Sequence, residues 1–395
     1  MSSGPPQYTP SEPSPMYSST PLHGEQRVAH NRRATSSRTG SFRRITDKVT
    51  VVLSDQLPGR IQPVYGRGGC IQGYLAVHDI DNIIEVTIRL RGEISIDIAS
   101  TGSRSRTRVL DESFTLWKAG PSGPCPPTIP IALVWPSKFW DGSQTRQLPP
   151  SFENDVLSTS CSYDLTVLLS KRKQLLGLVK PADSVSIPLT YFPRTRPPAP
   201  ATCREDPFVP SMRSAPDEWH QSQCIMKPCQ RSALTAVQCS LYIPIVRVYA
   251  LSDIIPFHVQ FHATEASLAH LRDGVGSVEG HVSVRVYLLR KTSVTVNEEI
   301  ATSRRILGEG QIFVTKSTLT PQEDGLSALD CDGEVVCGDA EVDGPSFIVS
   351  NLSVKDLIVL ELKPQQPLKS SFLEMSHAVP IRLVTDTWAE EPAAT

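Results

Sequence analysis

The segment of residues 84–98 alternates between apolar and polar side chains, and this alternation constrains the fold more than any other feature of the sequence. Its even positions hold Ile, Val, Leu and one Gly, whereas its odd positions hold Glu, Thr, Arg, Ser and Asp. Because successive side chains of a β-strand point to opposite faces, the pattern predicts a long strand with one buried and one wet face. Gly92 interrupts the apolar row, which predicts a bulge or kink at that position.

Shorter segments with the same period of two follow along the chain, separated by turn residues. Helical periodicity is scarce, and residues 266–271 have the spacing of a short helix. Many short strands in two similar halves predict an all-β fold of two tandem antiparallel β-sandwiches of the immunoglobulin-like type. The further predicted strands are residues 49–53, 161–169, 255–261, 282–288, 357–362 and 379–383.

Composition divides the chain into five segments. The first is rich in Ser, Pro and Arg and poor in large aliphatic side chains, so this arm is predicted to be disordered. A later Pro-rich stretch is predicted to link the two sandwiches, and the acidic residues 320–344 are predicted to form a long loop. The predicted boundaries are 1–47 for the arm, 48–193 for the first sandwich, 194–236 for the linker, 237–388 for the second sandwich and 389–395 for a short tail.

Charge and composition argue against several classes of protein. The formal net charge of −2 provides no field that would draw the chain onto nucleic acid. No apolar run approaches the ~20 residues of a membrane-spanning helix, and the first residues lack the apolar core of a signal peptide, which predicts a soluble cytoplasmic protein. The nine cysteines have irregular spacings without a zinc pattern and are interpreted as reduced thiols.

Catalytic and cofactor motifs are absent from the sequence. It contains no GxSxG, HExxH, kinase or P-loop signature, so the prediction is a binding protein without enzymatic activity, metal or cofactor. His258 and His262 would lie ~13 Å apart on a strand, too far to share a metal ion, and are interpreted as surface or internally satisfied histidines. An enzyme would instead need titratable groups that converge in a deep pocket.

The arm contains Pro5-Pro6-Gln7-Tyr8, which has the PPxY pattern that WW domains bind. Pro5 and Pro6 pre-set a polyproline II helix, so docking orders little additional backbone, and Tyr8 would enter a second pocket. A chance occurrence in a Pro-rich segment is the alternative. Neighbouring candidates for proline-directed phosphorylation, which adds a charge of about −2, are Thr9, Ser14 and Thr20.

Two basic segments are candidates for contact with anionic lipid or phosphate. One lies in the arm and the other follows a predicted strand at its end or in a hairpin turn, and each cation near a membrane surface contributes about 1 kcal/mol. A solvated tail and a solvated turn are the alternatives. The candidates are Arg32, Arg33, Arg43, Arg44, Lys171, Arg172 and Lys173, and Thr35 and Ser36 form a candidate basophilic kinase site.

Several segments resemble the arrestin-like superfamily in its fungal form, and together they extend over residues 49–383. In the first half they match a turn-strand element, a strand ending in L-x-G and an LPPSF turn, and in the second half they match strand openings of an arrestin C-terminal domain. The segments are residues 63–73 (PVYGRGGCIQG), 86–92 (VTIRLRG), 148–152 (LPPSF), 241–244 (LYIP) and 254–257 (IIPF).

The resemblance implies two β-sandwiches set end to end in a cytosolic trafficking adaptor. In the α-arrestin branch, PPxY motifs recruit HECT-type ubiquitin ligases, so the implied partners are a WW-domain ubiquitin ligase and the tails of membrane-protein cargo. The implied setting is ubiquitylation and endocytic sorting at the plasma membrane or endosomes. The alternative is a sorting-coat or signalling scaffold of the same fold, such as one in ambient-pH signalling, that recruits no ligase.

The sequence departs from the family in two respects. Its PPxY motif precedes the first sandwich, whereas the family usually carries such motifs after the C-terminal domain. The buried charged latch of visual-type arrestins maps onto no residues of this sequence, so a phosphate-sensing switch is not predicted.

Overall fold

The computed structural model describes residues 40–120, 123–171, 183–200, 208–272, 282–313, 320–321, 326–339 and 344–389. Strands dominate these residues, which confirms the predicted all-β fold. The strands of the N-terminal half are β1 (Gly40–Ile45), β2 (Val49–Gln56), β3 (Val64–Tyr65), β4 (Cys70–Val77), β5 (Ile83–Ile98), β6 (Ser103–Lys118), β7 (Thr128–Val134), β8 (Lys138–Trp140), β9 (Thr145–Gln147), β10 (Phe152–Asn154), β11 (Thr159–Lys171) and β12 (Asp183–Tyr191).

The C-terminal half adds further strands and two short α-helices, α1 (Phe208–Ser214) and α2 (Glu265–Arg272). Helix α2 confirms the helix predicted over residues 266–271. Among the described residues, no helix has the length and apolar character needed to cross a bilayer. The strands are β13 (Trp219–Met226), β14 (Val237–Pro244), β15 (Val248–Ala250), β16 (Ile255–Ala263), β17 (Val282–Val296), β18 (Glu299–Phe313), β19 (Thr320–Pro321), β20 (Ser327–Val335), β21 (Phe347–Val349), β22 (Leu352–Pro364) and β23 (Met375–Val384).

Strands β1 to β12 form the N-terminal lobe, in which two sheets pack face to face. One sheet has the strand order β1-β2-β4-β7, and the other has the order β3-β12-β11-β5-β6 with β10 beside β11. Val51 and Leu53 of β2 and Ile88 and Leu90 of β5 are fully buried in the core of this lobe. The alternation that predicts β5 therefore places every second side chain in a sandwich core.

The predicted bulge at Gly92 is confirmed, because the ladder between β5 and β6 shifts register between Gly92 and Glu93. Gly92 also lies opposite Tyr163 of β11, and a Cβ atom at this position would be 2.5 Å from Cε1 of Tyr163. The Tyr163 hydroxyl donates a hydrogen bond of 2.6 Å to the carbonyl of Pro149. The missing side chain of Gly92 thus provides the space through which the tyrosine reaches a neighbouring turn.

Strands β13 to β23 form the C-terminal lobe, whose two layers are joined by β18. Most of β18 pairs with β17, but its residues 310–313 pair with β20. The strand therefore passes from the layer β17-β22-β23-β15 to the layer β13-β14-β16-β20. Phe257 of β16 and Leu360 of β22 belong to the apolar core of this lobe, as in a sandwich whose corner is formed by a strand that changes sheets.

Three segments predicted to lack regular structure contain strands, and the prediction was wrong for the residues of those strands. β1 lies within the predicted arm and pairs with β2, β13 lies within the predicted linker and pairs with β14, and β20 lies within the predicted loop and pairs with β16 and β18. β1 and β13 are sheet edges with largely exposed or half-buried side chains, so they need no continuous apolar row. In β20 the buried face carries Cys331 and Gly333 in place of large aliphatic residues, which weakens the alternation.

The two lobes share part of one apolar core. Val294 and Val296 at the end of β17, and Leu352 at the start of β22, are buried within the core cluster of the N-terminal lobe. Phe347 of β21 also packs edge-on against Phe152 of β10, with 5.5 Å between the ring centroids. Buried side chains therefore hold the lobes together in addition to the linker.

Candidate functional site

A cleft of about 810 Å³ lies at the junction of the two lobes. Residues 144–150 of the N-terminal lobe line one side, and residues 345–349 and 354–357 of the C-terminal lobe line the other. Further lining residues are Arg67 and Lys138 of the N-terminal lobe, Pro193 and Thr195 at the start of the connection between the lobes, and residues 380–382 of the C-terminal lobe. A volume of this order accommodates a small molecule or a short stretch of peptide.

The N-terminal wall of the cleft is the turn Leu148-Pro149-Pro150. The backbone N–H of Leu148 donates to the carbonyl of Ser137 at 3.0 Å, and the carbonyl of Pro149 accepts the hydrogen bond from Tyr163. Because proline has no backbone N–H, Pro149 and Pro150 add apolar surface without adding a donor. The turn is therefore a fixed and largely apolar wall.

The C-terminal wall is fixed by a buried ion pair. Arg290 donates to the two carboxylate oxygens of Asp356 through Nε at 2.7 Å and Nη2 at 2.9 Å, and Asp356 is 1% exposed. The hydroxyl of Ser346 donates to Asp356 at 2.5 Å and accepts from the backbone N–H of Leu383 at 3.0 Å. The charge of Asp356 is thus compensated within the wall.

The charged residues that line the cleft are predominantly cationic. Asp356 is its one carboxylate among the described residues, whereas its cations are Arg67, Lys138, Arg146, Lys355 and Arg382. Arg146 pairs with Asp141, and this contact holds the pKa of Asp141 well below its usual range. Lys138 and Lys355 are exposed, and no carboxylate of the described residues lies within ion-pair distance of either. The cleft therefore carries uncompensated positive charge that favours an anionic ligand.

Two buried side-chain oxygen atoms of the lining residues are available to hydrogen-bond with a ligand. Oγ1 of Thr195 and Oε1 of Gln147 have no hydrogen-bond partner among the described residues. The backbone of Thr195 is satisfied, because its N–H donates to Oγ1 of Thr385 at 2.8 Å and its carbonyl accepts from the N–H of Asp386 at 3.0 Å. Since buried polar groups are usually satisfied, the two side chains offer one donor and one acceptor to a ligand.

The chemistry of this arrangement is that of a binding site. Apolar walls from Pro149, Phe347 and Ile381 accompany the exposed cations Lys138 and Lys355, a combination that suits an anionic group flanked by apolar groups. Across the described residues, no three His, Cys, Asp or Glu side chains are grouped so that they could hold a metal ion.

The basic residues predicted from the sequence do not line the cleft where the structure describes them. Arg43 and Arg44 are exposed on the edge strand β1. Lys171 ends β11, as predicted, and pairs with Asp79 at 2.7 Å and with Asp183 at 3.7 Å. The hydrogen bond to Asp79 raises the pKa of Lys171, so its charge is engaged locally.

The remaining predicted site residues lie outside the described residues. They include the whole PPxY motif and both phosphorylation groups. These residues are Pro5, Pro6, Tyr8, Thr9, Ser14, Thr20, Arg32, Arg33, Thr35, Ser36, Arg172 and Lys173.

His258 is an internally satisfied histidine, which decides between the two interpretations of this residue. It is 1% exposed, its Nδ1 lies 2.7 Å from Asp332, and its Nε2 lies 3.1 Å from Asp330. Burial by itself lowers the pKa of His258, but the two carboxylates outweigh burial and raise it. Phe208 of α1 stacks on the imidazole with 3.7 Å between ring centroids, so the same histidine holds the linker helix against the C-terminal lobe.

Sequence reasoning missed the cleft because its cations come from separate parts of the chain. Lys138 and Lys355 lie in different lobes, and neither belongs to a basic segment. The LPPSF turn, which forms one wall, is the local signal that marks the position. Only the packing of the lobes brings these residues together.

No model of a known protein family matches the chain, and no curated protein matches it. The resemblance to arrestin-like proteins therefore stays a prediction from the sequence motifs.

Proposed function

We propose that this protein is a non-enzymatic trafficking adaptor of the arrestin-like type. Its two-lobed body binds an anionic segment in the cytosolic tail of a membrane-protein cargo, and its arm recruits a WW-domain ubiquitin ligase of the HECT type. The body acts at the plasma membrane or endosomes, and the result is ubiquitylation and endocytic sorting of the cargo.

The cleft between the lobes is the observation that carries the proposal. It combines the exposed, unpaired Lys138 and Lys355 with proline and aliphatic walls, and its one described carboxylate, Asp356, accepts hydrogen bonds from Arg290 and Ser346. Such a lining suits capture of an extended anionic segment, because exposed lysines complement its charge and the apolar walls complement its apolar side chains.

The arm supplies the second half of the mechanism through effective concentration. Residues 9–39 separate Tyr8 from the first described strand, and a chain spans at most about 3.5 Å per residue. A ligase bound at the motif is thereby restricted to the neighbourhood of the cargo held by the body, which raises its local concentration at cargo lysines.

A pull-down with isolated WW domains tests the ligase contact. We expect the full chain to bind and the double variant Pro6→Ala/Tyr8→Ala to lose binding, because it removes the polyproline conformation and the ring that fills the second pocket. The matched control is Pro10→Ala/Tyr17→Ala, which changes the same residue types in the arm outside the motif. Equal binding by all three proteins would remove the ligase from the proposal and leave a cargo-binding scaffold.

An array of acidic and neutral peptides from cytosolic tails tests the cleft. We expect Lys138→Gln/Lys355→Gln to weaken capture of acidic peptides by about tenfold, since two charge contacts at roughly 0.5–1 kcal/mol each are lost. The control is Lys363→Gln/Lys369→Gln, which removes the same charge from exposed positions outside the cleft. If the control weakens binding as much as the cleft variant, attraction is a property of the whole surface and the cleft is not the site.

A further inference from the structure

Two cysteines face each other across the edge of the C-terminal lobe. β13 is the terminal strand of its layer, and in its ladder with β14 Cys224 lies directly opposite Cys239. The next pair on the same face, Met226 and Val237, is fully buried. Both cysteines therefore point towards the core side of the sheet.

The spacing of this pair follows from the hydrogen-bond pattern. The N–H of Ile245 donates to the carbonyl of Glu218 at 2.8 Å, and these two residues occupy opposite positions in continuation of the ladder. Hydrogen-bonded pairs recur at every second position, so Cys224 and Cys239 form one of them, with Cα atoms about 5.5 Å apart. This separation lies near the middle of the range that a disulfide bridges.

The two thiols also influence each other, and they differ in accessibility. The proximity of the other thiol lowers the pKa of Cys224 and, together with burial, raises that of Cys239. Cys224 is half-buried, whereas Cys239 is fully buried. A small oxidant can therefore reach Sγ of Cys224, whose lowered pKa favours the reactive thiolate. Sγ of Cys239 lies beside it as the second sulfur.

We propose that Cys224 and Cys239 are a reversible redox modification site that closes to a disulfide in the presence of hydrogen peroxide. The Cys224 thiolate attacks one peroxide oxygen, so an S–O bond forms, the O–O bond breaks, and hydroxide leaves as water with the proton of the Cys224 thiol. Sγ of Cys239 then attacks Sγ of Cys224, so the S–S bond forms, the S–O bond breaks, and the second hydroxide leaves as water with the proton of Cys239. The two sulfurs lose two electrons in total, which reduce one peroxide to two waters.

The disulfide would link β13, the first strand of the C-terminal lobe, covalently to β14. Nε1 of Trp219, the first residue of β13, donates to the hydroxyl of Ser211 in α1 at 3.1 Å. Opening of β13 from the sheet edge therefore also removes this contact of α1 with the lobe. The disulfide suppresses this opening, and reduction restores it. This inference does not depend on the adaptor proposal.

Peptide mapping of the full chain after peroxide treatment and thiol alkylation tests the site. Trypsin cuts after Arg213, Arg231 and Arg247 but not at Lys227, which precedes proline, so the two cysteines fall in different peptides. We expect these peptides to be linked, with a mass about 2 Da below their sum, the two hydrogens lost, and to separate on reduction. Hydrogen exchange of the β13 amides should slow in the oxidised chain.

Two variants identify the sulfur that reacts, because Cys229 lies in the same peptide as Cys224. Cys229→Ser should retain the linked peptides and the slowed exchange. Cys224→Ser should lose both, with circular dichroism confirming that the half-buried serine leaves the strands intact. The inference is overturned if Cys224→Ser still yields the link, or if Cys224 and Cys239 of the unsubstituted protein are both still alkylated after peroxide treatment.

Discussion

Replacing Asp356 with alanine removes the carboxylate that compensates a buried guanidinium. Arg290 is 8% exposed and donates two hydrogen bonds to Asp356, and the hydroxyl of Ser346 donates a third. In the variant Arg290 remains buried without a counter-charge, and Ser346 loses an acceptor. Both changes destabilise the C-terminal lobe.

The expected size of the effect follows from the burial of the pair. Removing one partner of a buried ion pair costs about 3–5 kcal/mol, because the surviving charge stays desolvated. With a urea m-value of about 2 kcal/mol/M, the midpoint of unfolding should fall by about 2 M. The double variant Arg290→Met/Asp356→Leu removes both charges and should restore the midpoint to that of the unchanged protein or above, since the desolvation penalty disappears with the pair.

Urea titration of the full chain, followed by circular dichroism and tryptophan fluorescence, measures these midpoints. Asp97→Ala is the matched control, because Asp97 pairs with Arg104 at an exposed position on the N-terminal lobe, where such pairs contribute at most about 1 kcal/mol. The reasoning is refuted if Asp356→Ala shifts the midpoint no more than Asp97→Ala, or if the double variant is as unstable as the single one.

Two further predictions concern buried groups in the two lobes. The pKa of His258 is raised in the folded protein. Its stabilising contribution is therefore complete below the pKa of an unfolded histidine, about 6.5, and is lost as the pH rises through the folded pKa. His258→Gln should abolish this pH dependence of stability. Thermal melts from pH 5 to 9 check this, and an equal slope in both proteins would contradict it. Gly92→Ala should destabilise the N-terminal lobe by about 1–3 kcal/mol through overpacking, since the new methyl would meet Tyr163 at 2.5 Å. Gly120→Ala is the control for denaturant titration, because its added methyl would meet no atom beyond the neighbouring residues within 4 Å. Equal unfolding midpoints for the Gly92 and Gly120 variants would contradict this prediction.

Local patterns predict the strands that are buried on one face, and they fail where pairing does not depend on apolar side chains. The alternation of residues 84–98 predicted β5 and its bulge because each position carries a strong apolar or polar residue. β13 was not predicted because an edge strand is held by backbone hydrogen bonds to one neighbour and needs no regular row of apolar side chains. β20 escaped because Cys331 and Gly333 occupy its buried face.

The candidate site was less predictable than the fold because it arises from long-range packing. Lys138 and Lys355 meet at one cleft only after each lobe has folded and the lobes have docked. The basic segments that the sequence emphasised are placed differently, with Arg44 on an exposed edge and Lys171 paired with Asp79. The PPxY motif remains a prediction from sequence, and its test is a binding experiment.

The valines that β17 contributes to the other lobe determine how this protein can be dissected. Val294 and Val296 are covered by side chains of the N-terminal lobe, so a fragment that begins after the linker would expose an aliphatic tip to water. Exposed apolar patches of this kind promote self-association. Fragments that contain only one half should therefore aggregate, and truncations for crystallisation or interaction mapping should keep both halves in one polypeptide.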